Sequence, residues 1–139
     1  MLIKRNIGAY ISPRVGTTPQ AAAAAVTGTG LDRKGFASCV LFVEAGQKGG
    51  DVEPTTFSLA GKLQQSSDNG DADAYADITD AAITAITAED GSAQVDVDLT
   101  GCERYIRAVL TPAFVGGTNP TLLCNAAIVL GGSDALPTT

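Results

Sequence analysis

Residues 101–111, Gly-Cys-Glu-Arg-Tyr-Ile-Arg-Ala-Val-Leu-Thr, constrain the fold more than any other stretch, because large side chains occupy both the odd and the even positions. A strand turns successive side chains to opposite faces, so a segment with bulk at both parities is not half-solvated; it belongs inside a sheet. Residues 121–130, Thr-Leu-Leu-Cys-Asn-Ala-Ala-Ile-Val-Leu, have the same character and follow a Gly-Gly-Thr-Asn-Pro turn. The two segments are expected to pair as an antiparallel core hairpin. Tyr105 and Ile106 would then be buried on opposite faces, with Val109, Leu123 and Ile128 also in the core.

Other segments carry the period of a strand. Residues 35–45 form a dense apolar run bounded by glycines, read as a strand buried on both faces and contributing Phe36, Val40 and Phe42 to the core. Residues 56–65 alternate, with Phe57, Leu59, Gly61 and Leu63 inward. Residues 93–100 alternate likewise, placing Ala93, Val95, Val97 and Leu99 inward and a row containing Asp96 and Asp98 toward water or a partner. Residues 75–89 fit both a helical face and, through their threonines and isoleucines, short strands; strands are favoured. The run of five alanines after Gln20 is too short for an independent helix and is read as extended or as one turn. With 16 Gly and 6 Pro in 139 residues and turn signals between the segments, the expected fold is all-β. It is an antiparallel β-sandwich or jelly-roll-like barrel of seven or eight strands.

Residues 1–31 read differently. A short edge strand is expected over residues 3–11, after which Pro13, Gly16, Pro19 and the Gly-Thr-Gly of residues 28–30 punctuate the chain. The expected organisation is an extended N-terminal arm over residues 1–31 and a β-sandwich body over residues 32–139. The arm holds Lys4, Arg5 and Arg14 and no acid, whereas the body holds 15 acids against six bases, so a +3 arm precedes a −9 body. Ile3, Lys4, Arg5, Ile7, Ile11 and Arg14 are the candidate contacts with other subunits, the bases meeting acidic groups and the isoleucines adding a strand edge to edge.

The same charge distribution argues against nucleic acid as a partner, because a phosphate backbone repels such a body. Histidine is absent, which removes the usual general base and the commonest zinc ligand, and no nucleophile stands at a diagnostic spacing from a base. Neither an enzyme nor a cofactor is expected. Cys39, Cys102 and Cys124 occur singly inside strand patterns, as buried reduced thiols do. The acids of residues 68–73 could suggest a calcium loop, but the spacing lacks the final glutamate of an EF-hand and reads as a solvated hairpin loop. Arg104 and Arg107 are read as cross-strand ion-pair partners rather than an anion site. With no tryptophan, an exposed aromatic platform for sugars is weakly supported. No apolar run approaches bilayer length and no signal-peptide core follows Met1, so a soluble protein and no membrane partner are expected.

Four stretches, in order, carry a family resemblance: residues 27–36 (Thr-Gly-Thr-Gly-Leu-Asp-Arg-Lys-Gly-Phe), residues 62–70 (Lys-Leu-Gln-Gln-Ser-Ser-Asp-Asn-Gly), residues 101–107 and residues 129–132 (Val-Leu-Gly-Gly). Over roughly residues 27–132 the chain resembles small structural proteins encoded among the head genes of tailed bacteriophages. It departs from them in its alanine-rich arm and at Cys102, where a small polar residue is usual. The resemblance implies a non-enzymatic virion component, a capsid decoration or cement protein on the outer capsid surface, made in the host cytoplasm. Its implied partners are the major capsid protein and neighbouring copies of itself, with a trimer favoured. A head completion, connector or tail component is the alternative within virions, and a carbohydrate-binding sandwich that aids adsorption is the alternative outside that class.

Overall fold

A computed structural model describes residues 6–135. A 3-10 turn at Ile7–Ala9 leads into nine strands: β1 (Ser12–Ala22), β2 (Val26–Thr27), β3 (Leu31–Asp32), β4 (Phe36–Gly49), β5 (Thr56–Ser66), β6 (Ala76–Ala82), β7 (Ser92–Asp98), β8 (Tyr105–Val115) and β9 (Thr121–Ser133). One sheet runs β1-β9-β4-β7 and the other β2-β8-β5-β6, with β3 also pairing on β8. Every pairing is antiparallel. Successive strands pass repeatedly from one sheet to the other, and this order is the double Greek-key winding of a jelly roll. The all-β expectation therefore holds, with one strand more than the upper number.

Strand parity builds the core. Cys39, Leu41, Val43 and Ala45 of β4 and Leu122, Cys124, Ala126, Ile128 and Leu130 of β9 face Phe57, Leu59 and Leu63 of β5 and Ile106, Ala108 and Leu110 of β8. Residues 56–63 and 93–99 alternate as expected, with Phe57, Leu59, Leu63, Val97 and Leu99 buried. Residues 75–89 form strand rather than helix: β6, then an isolated bridge from Ile86 to Leu59. Of Ile78, Ala82, Ala85, Ile86 and Glu89, which fit a helical face in the sequence, only Ile78 and Ile86 are buried, and with Ala81 and Ile83 they close one side of the sandwich.

Three expectations are corrected. Residues 101–111 and 121–130 do not pair as a hairpin: β8 is central in one sheet, β9 in the other, and they face each other across the core. The short connection permits either arrangement. Gly116 (φ 74°) and Gly117 (φ 81°) turn the chain left-handedly, while Thr118 bridges Val52 in the β4–β5 connection, so both crossings stack at one end of the sandwich.

The extended arm over residues 1–31 is not shown. Within the described part of that span, β1 pairs along most of its length with β9, and Val26, Thr27, Leu31 and Asp32 pair with β8. Pro13, Gly16 and Pro19, read as breakers, sit on an edge strand with register shifts, where missing ladder bonds cost little. Of the edge strand expected over residues 3–11, residues 3–5 lie outside the described residues and residues 6–11 are not strand; β1 starts at Ser12.

The third correction concerns which side chains are core. Leu63, Ile106 and Ile128 are fully buried. Phe36 is half-buried and packs against the core margin. Val40, Phe42 and Tyr105 are half-buried on outer faces, and Val109, though buried, also lies outside the central cluster. Leu123 is 49% exposed. Bulk at both parities predicts burial on both faces, but each sheet here has a partner layer on one face only.

Candidate interaction surface

The outer face of β1-β9-β4-β7 carries several of the apolar side chains that the core leaves out, while Tyr105, Val109 and Val115 lie on the outer face of the opposite sheet. Register sets them in rows: Val15, Ala127, Phe42 and Gln94 lie side by side, and Pro13, Val129, Val40 and Asp96 form the next row. Ser38 lies between Gly131 and Asp98, Glu44 lies between Asn125 and Ser92, and Leu123 stands beside Ala21. Val15 is 63% exposed. Two shallow hollows open on this face, one edged by Phe42, Glu44 and Leu123, the other by Ile11, Val40, Asp96, Asp98 and Val129.

Charge on this face has one sign. The facing segments of β4, β7 and β9 (residues 38–44, 92–98 and 123–131) carry Glu44, Asp96 and Asp98 and contain no lysine or arginine. All three carboxylates are exposed, and among the described residues none makes an ion pair. Asp98 accepts the Thr100 backbone N–H at 2.9 Å, which holds its carboxyl below the usual range. Carboxylates along β7 also discourage that edge from pairing with another strand.

The outer face of the other sheet is chemically different, because its bases Lys62, Arg104 and Arg107 are held by internal partners. Arg104 donates from Nε and Nη2 to the Asp32 carboxylate, with a shortest contact of 2.7 Å, which lowers the Asp32 pKa. Lys62 pairs with Asp77 at 2.8 Å. Arg107 lies 4.0 Å from the centre of the Tyr75 ring and donates to Gln64 Oε1 at 2.9 Å. The reading of Arg104 as an ion-pair residue holds, whereas Arg107 is held by an aromatic face and an amide instead of an acid.

The acidic loop between β5 and β6 is organised around its own backbone. Asp68 accepts the N–H groups of Asp71 and Ala72 at 3.1 and 2.7 Å and that of Asp73 with both oxygens. Buried Ser66 donates to the Asp73 carbonyl at 2.7 Å and accepts from Gly70 N–H at 2.8 Å. The Ala72 N–H is the largest cause of the lowered Asp68 pKa, and the Ser67 N–H of the lowered Asp73 pKa. The neighbouring Asp73 carboxyl raises the Glu103 pKa, since two adjacent carboxylates disfavour each other's charge. The carboxylates of Asp68 and Asp73, two of the groups that suggested calcium, are engaged in closing the turn.

Of the contacts expected from sequence, Ile3, Lys4 and Arg5 lie outside the described residues. Ile7 is exposed on the 3-10 turn, Ile11 borders the second hollow, and Arg14 is exposed on β1 with its Nε donating to Ser12 Oγ at 3.0 Å. The structure thus brings Ile11 alone of these into the apolar face. Sequence reasoning did not assign Val15, Val40, Phe42, Leu123 and Val129 to a surface; the available signal was the bulk at both parities of β4 and β9 beside the carboxylate row of β7.

No protein-family model matches this chain, and no curated protein matches it. Among solved structures, the crystal structure of the SPBc2 prophage-derived protein YomS is similar, with a TM-score of 0.45 and 12% identity over 93% of this chain and 98% of that one. So distant a likeness carries no function across.

Proposed function

We propose that this chain is a non-enzymatic structural protein of a tailed-phage virion, a capsid decoration or cement protein that docks on the outside of the major capsid protein shell and stabilises it. The observation that carries this reading is the asymmetry of the two outer faces. One is tied into its own ion pairs and cation–π contacts, and the other presents apolar side chains with unpaired carboxylates. A jelly roll with such a face is suited to docking many copies on a repeating surface. The acid-rich body suits the outside of a DNA-filled shell, away from the phosphates of the genome. The resemblance of residues 27–132 to head-gene proteins points the same way. On this reading Lys4, Arg5 and Arg14, with Ile3, Ile7 and Ile11, add contacts to the shell or to neighbouring copies in a homo-oligomer.

Copy number in purified particles tests the proposal. Decoration requires on the order of hundreds of copies per head, whereas about six or twelve identify a connector or tail part of closed ring symmetry. Absence of the chain from purified particles would remove the virion reading altogether.

A further inference from the structure

We infer that the outer face of β1-β9-β4-β7 is the docking face, and that it takes a protein surface of complementary chemistry: apolar at its centre, with lysines or arginines set to meet Glu44, Asp96 and Asp98. This rests on the capsid-protein reading above and names the chemistry of the shell surface involved.

Val15, Val40, Phe42, Leu123 and Val129 keep part of their surface in water, although strands with bulk at both parities bury cleanly only when both faces are covered. Polar residues would serve at these positions if water were their permanent neighbour, as they do on the outer face of β5, where Ser58, Lys62 and Gln64 stand. Covering the face with an identical copy, two-fold to itself, would bring a second set of Glu44, Asp96 and Asp98 toward the first with no base in those segments to separate them. Like charges brought together while being desolvated oppose such a contact. A basic-rimmed partner converts the same three carboxylates from an obstacle into a register. Arg33, Lys62, Arg104 and Arg107 of this chain are held by internal partners, Arg14 and Lys48 stand at the register positions of buried Ile128 and Leu122 and not in the outer-face rows, and Lys34 lies in the turn before β4, so a two-fold copy sets no base of these rows against the carboxylates.

The test is binding of the purified chain to shells assembled without it, with occupancy measured against salt. Leu123→Glu and Val15→Glu change exposed side chains, so folding is retained and is checked by thermal melting; each should weaken binding about tenfold or more. Asp96→Asn combined with Asp98→Asn should weaken binding and flatten its salt dependence. Thr111→Glu, exposed on the opposite sheet, should bind as wild type does. If wild type binds shells and the face variants bind equally well, the face assignment is overturned while shell binding stands. If wild type does not bind shells at all, the capsid reading falls and takes this inference with it. If Leu123→Glu instead dissolves a self-association seen by sedimentation and leaves shell binding intact, the face belongs to a second copy and the inference is refuted.

Discussion

Gly28→Ala tests whether residues 12–31 are part of the sandwich or an appendage to it. Gly28 lies just after β2, where the chain has crossed from one sheet to the other, and its N–H donates to Ala108 O at 2.8 Å. A methyl group built there would overlap the Gly16 carbonyl oxygen on β1, with the Gly16 carbonyl carbon at 3.0 Å and Ala108 O at 3.2 Å. All three atoms are backbone, so no side chain can swing away and the two strands must separate. Overpacking of this kind costs about 2–3 kcal/mol, and a weakened bond to Ala108 adds about 1 kcal/mol. Loss of unfolded-state freedom returns about 0.5–1 kcal/mol, since Gly28 is not in the left-handed region and alanine is otherwise tolerated. The net loss is roughly 2–3 kcal/mol, a fall in Tm of about 6–15 °C for a domain of this size. Urea unfolding of Gly28→Ala should show a lower midpoint with an unchanged slope. A loss below about 0.5 kcal/mol would refute the reasoning, for it would mean that β1 and the segment between β2 and β3 are not closed against each other in solution.

Ile106→Ala empties a site with no exposure in the centre of β8 and should cost about 2–4 kcal/mol in chemical denaturation, whereas Leu123→Ala on the outer face should cost less than about 1 kcal/mol; equal losses would contradict the assigned parity. Thiol titration of the native chain should find Cys102 first, because it is half-buried, while burial pushes the Cys39 thiol up to about 12 and holds it unreactive until unfolding. Acid should weaken the β5–β6 loop. The lowered pKa values of Asp68 and Asp73 give stability that is complete above the unfolded carboxylate range, about pH 4, and is lost as pH falls through their folded values. The raised value of Glu103 acts in the opposite sense, its contribution present in acid and lost as pH rises through the folded value, so it offsets part of that slope. Melting temperature measured from pH 6 to pH 2 should therefore fall less in Asp68→Asn than in wild type, and parallel curves would show that the carboxylate does not hold the turn.

What could be read from the chain was whatever depends on neighbours in sequence. Alternation fixed the faces of residues 56–63 and 93–99, and residues 68–73 read as a hairpin loop, whose donors and acceptors lie within seven residues of one another. The all-β class followed from the same local signals. Which strands lie together did not, because antiparallel pairing is compatible with many orders and the difference among them is made by distant contacts. Residues 101–111 and 121–130 are equally suited to pairing with each other or to facing each other, and only the competing claims of β5 on β8 and of β4 on β9 decide the matter. The N-terminal prolines and glycines likewise mark weak ladder positions without saying whether an edge strand can absorb them. Tertiary structure alone separates the two meanings of bulk at both parities: for Ile106 and Ile128 it means a neighbour across the core, and for Val40, Phe42 and Leu123 a face left open to water. A side chain's chemistry records that it favours burial, but which atoms bury it is a property of the packed layers and of whatever docks on them.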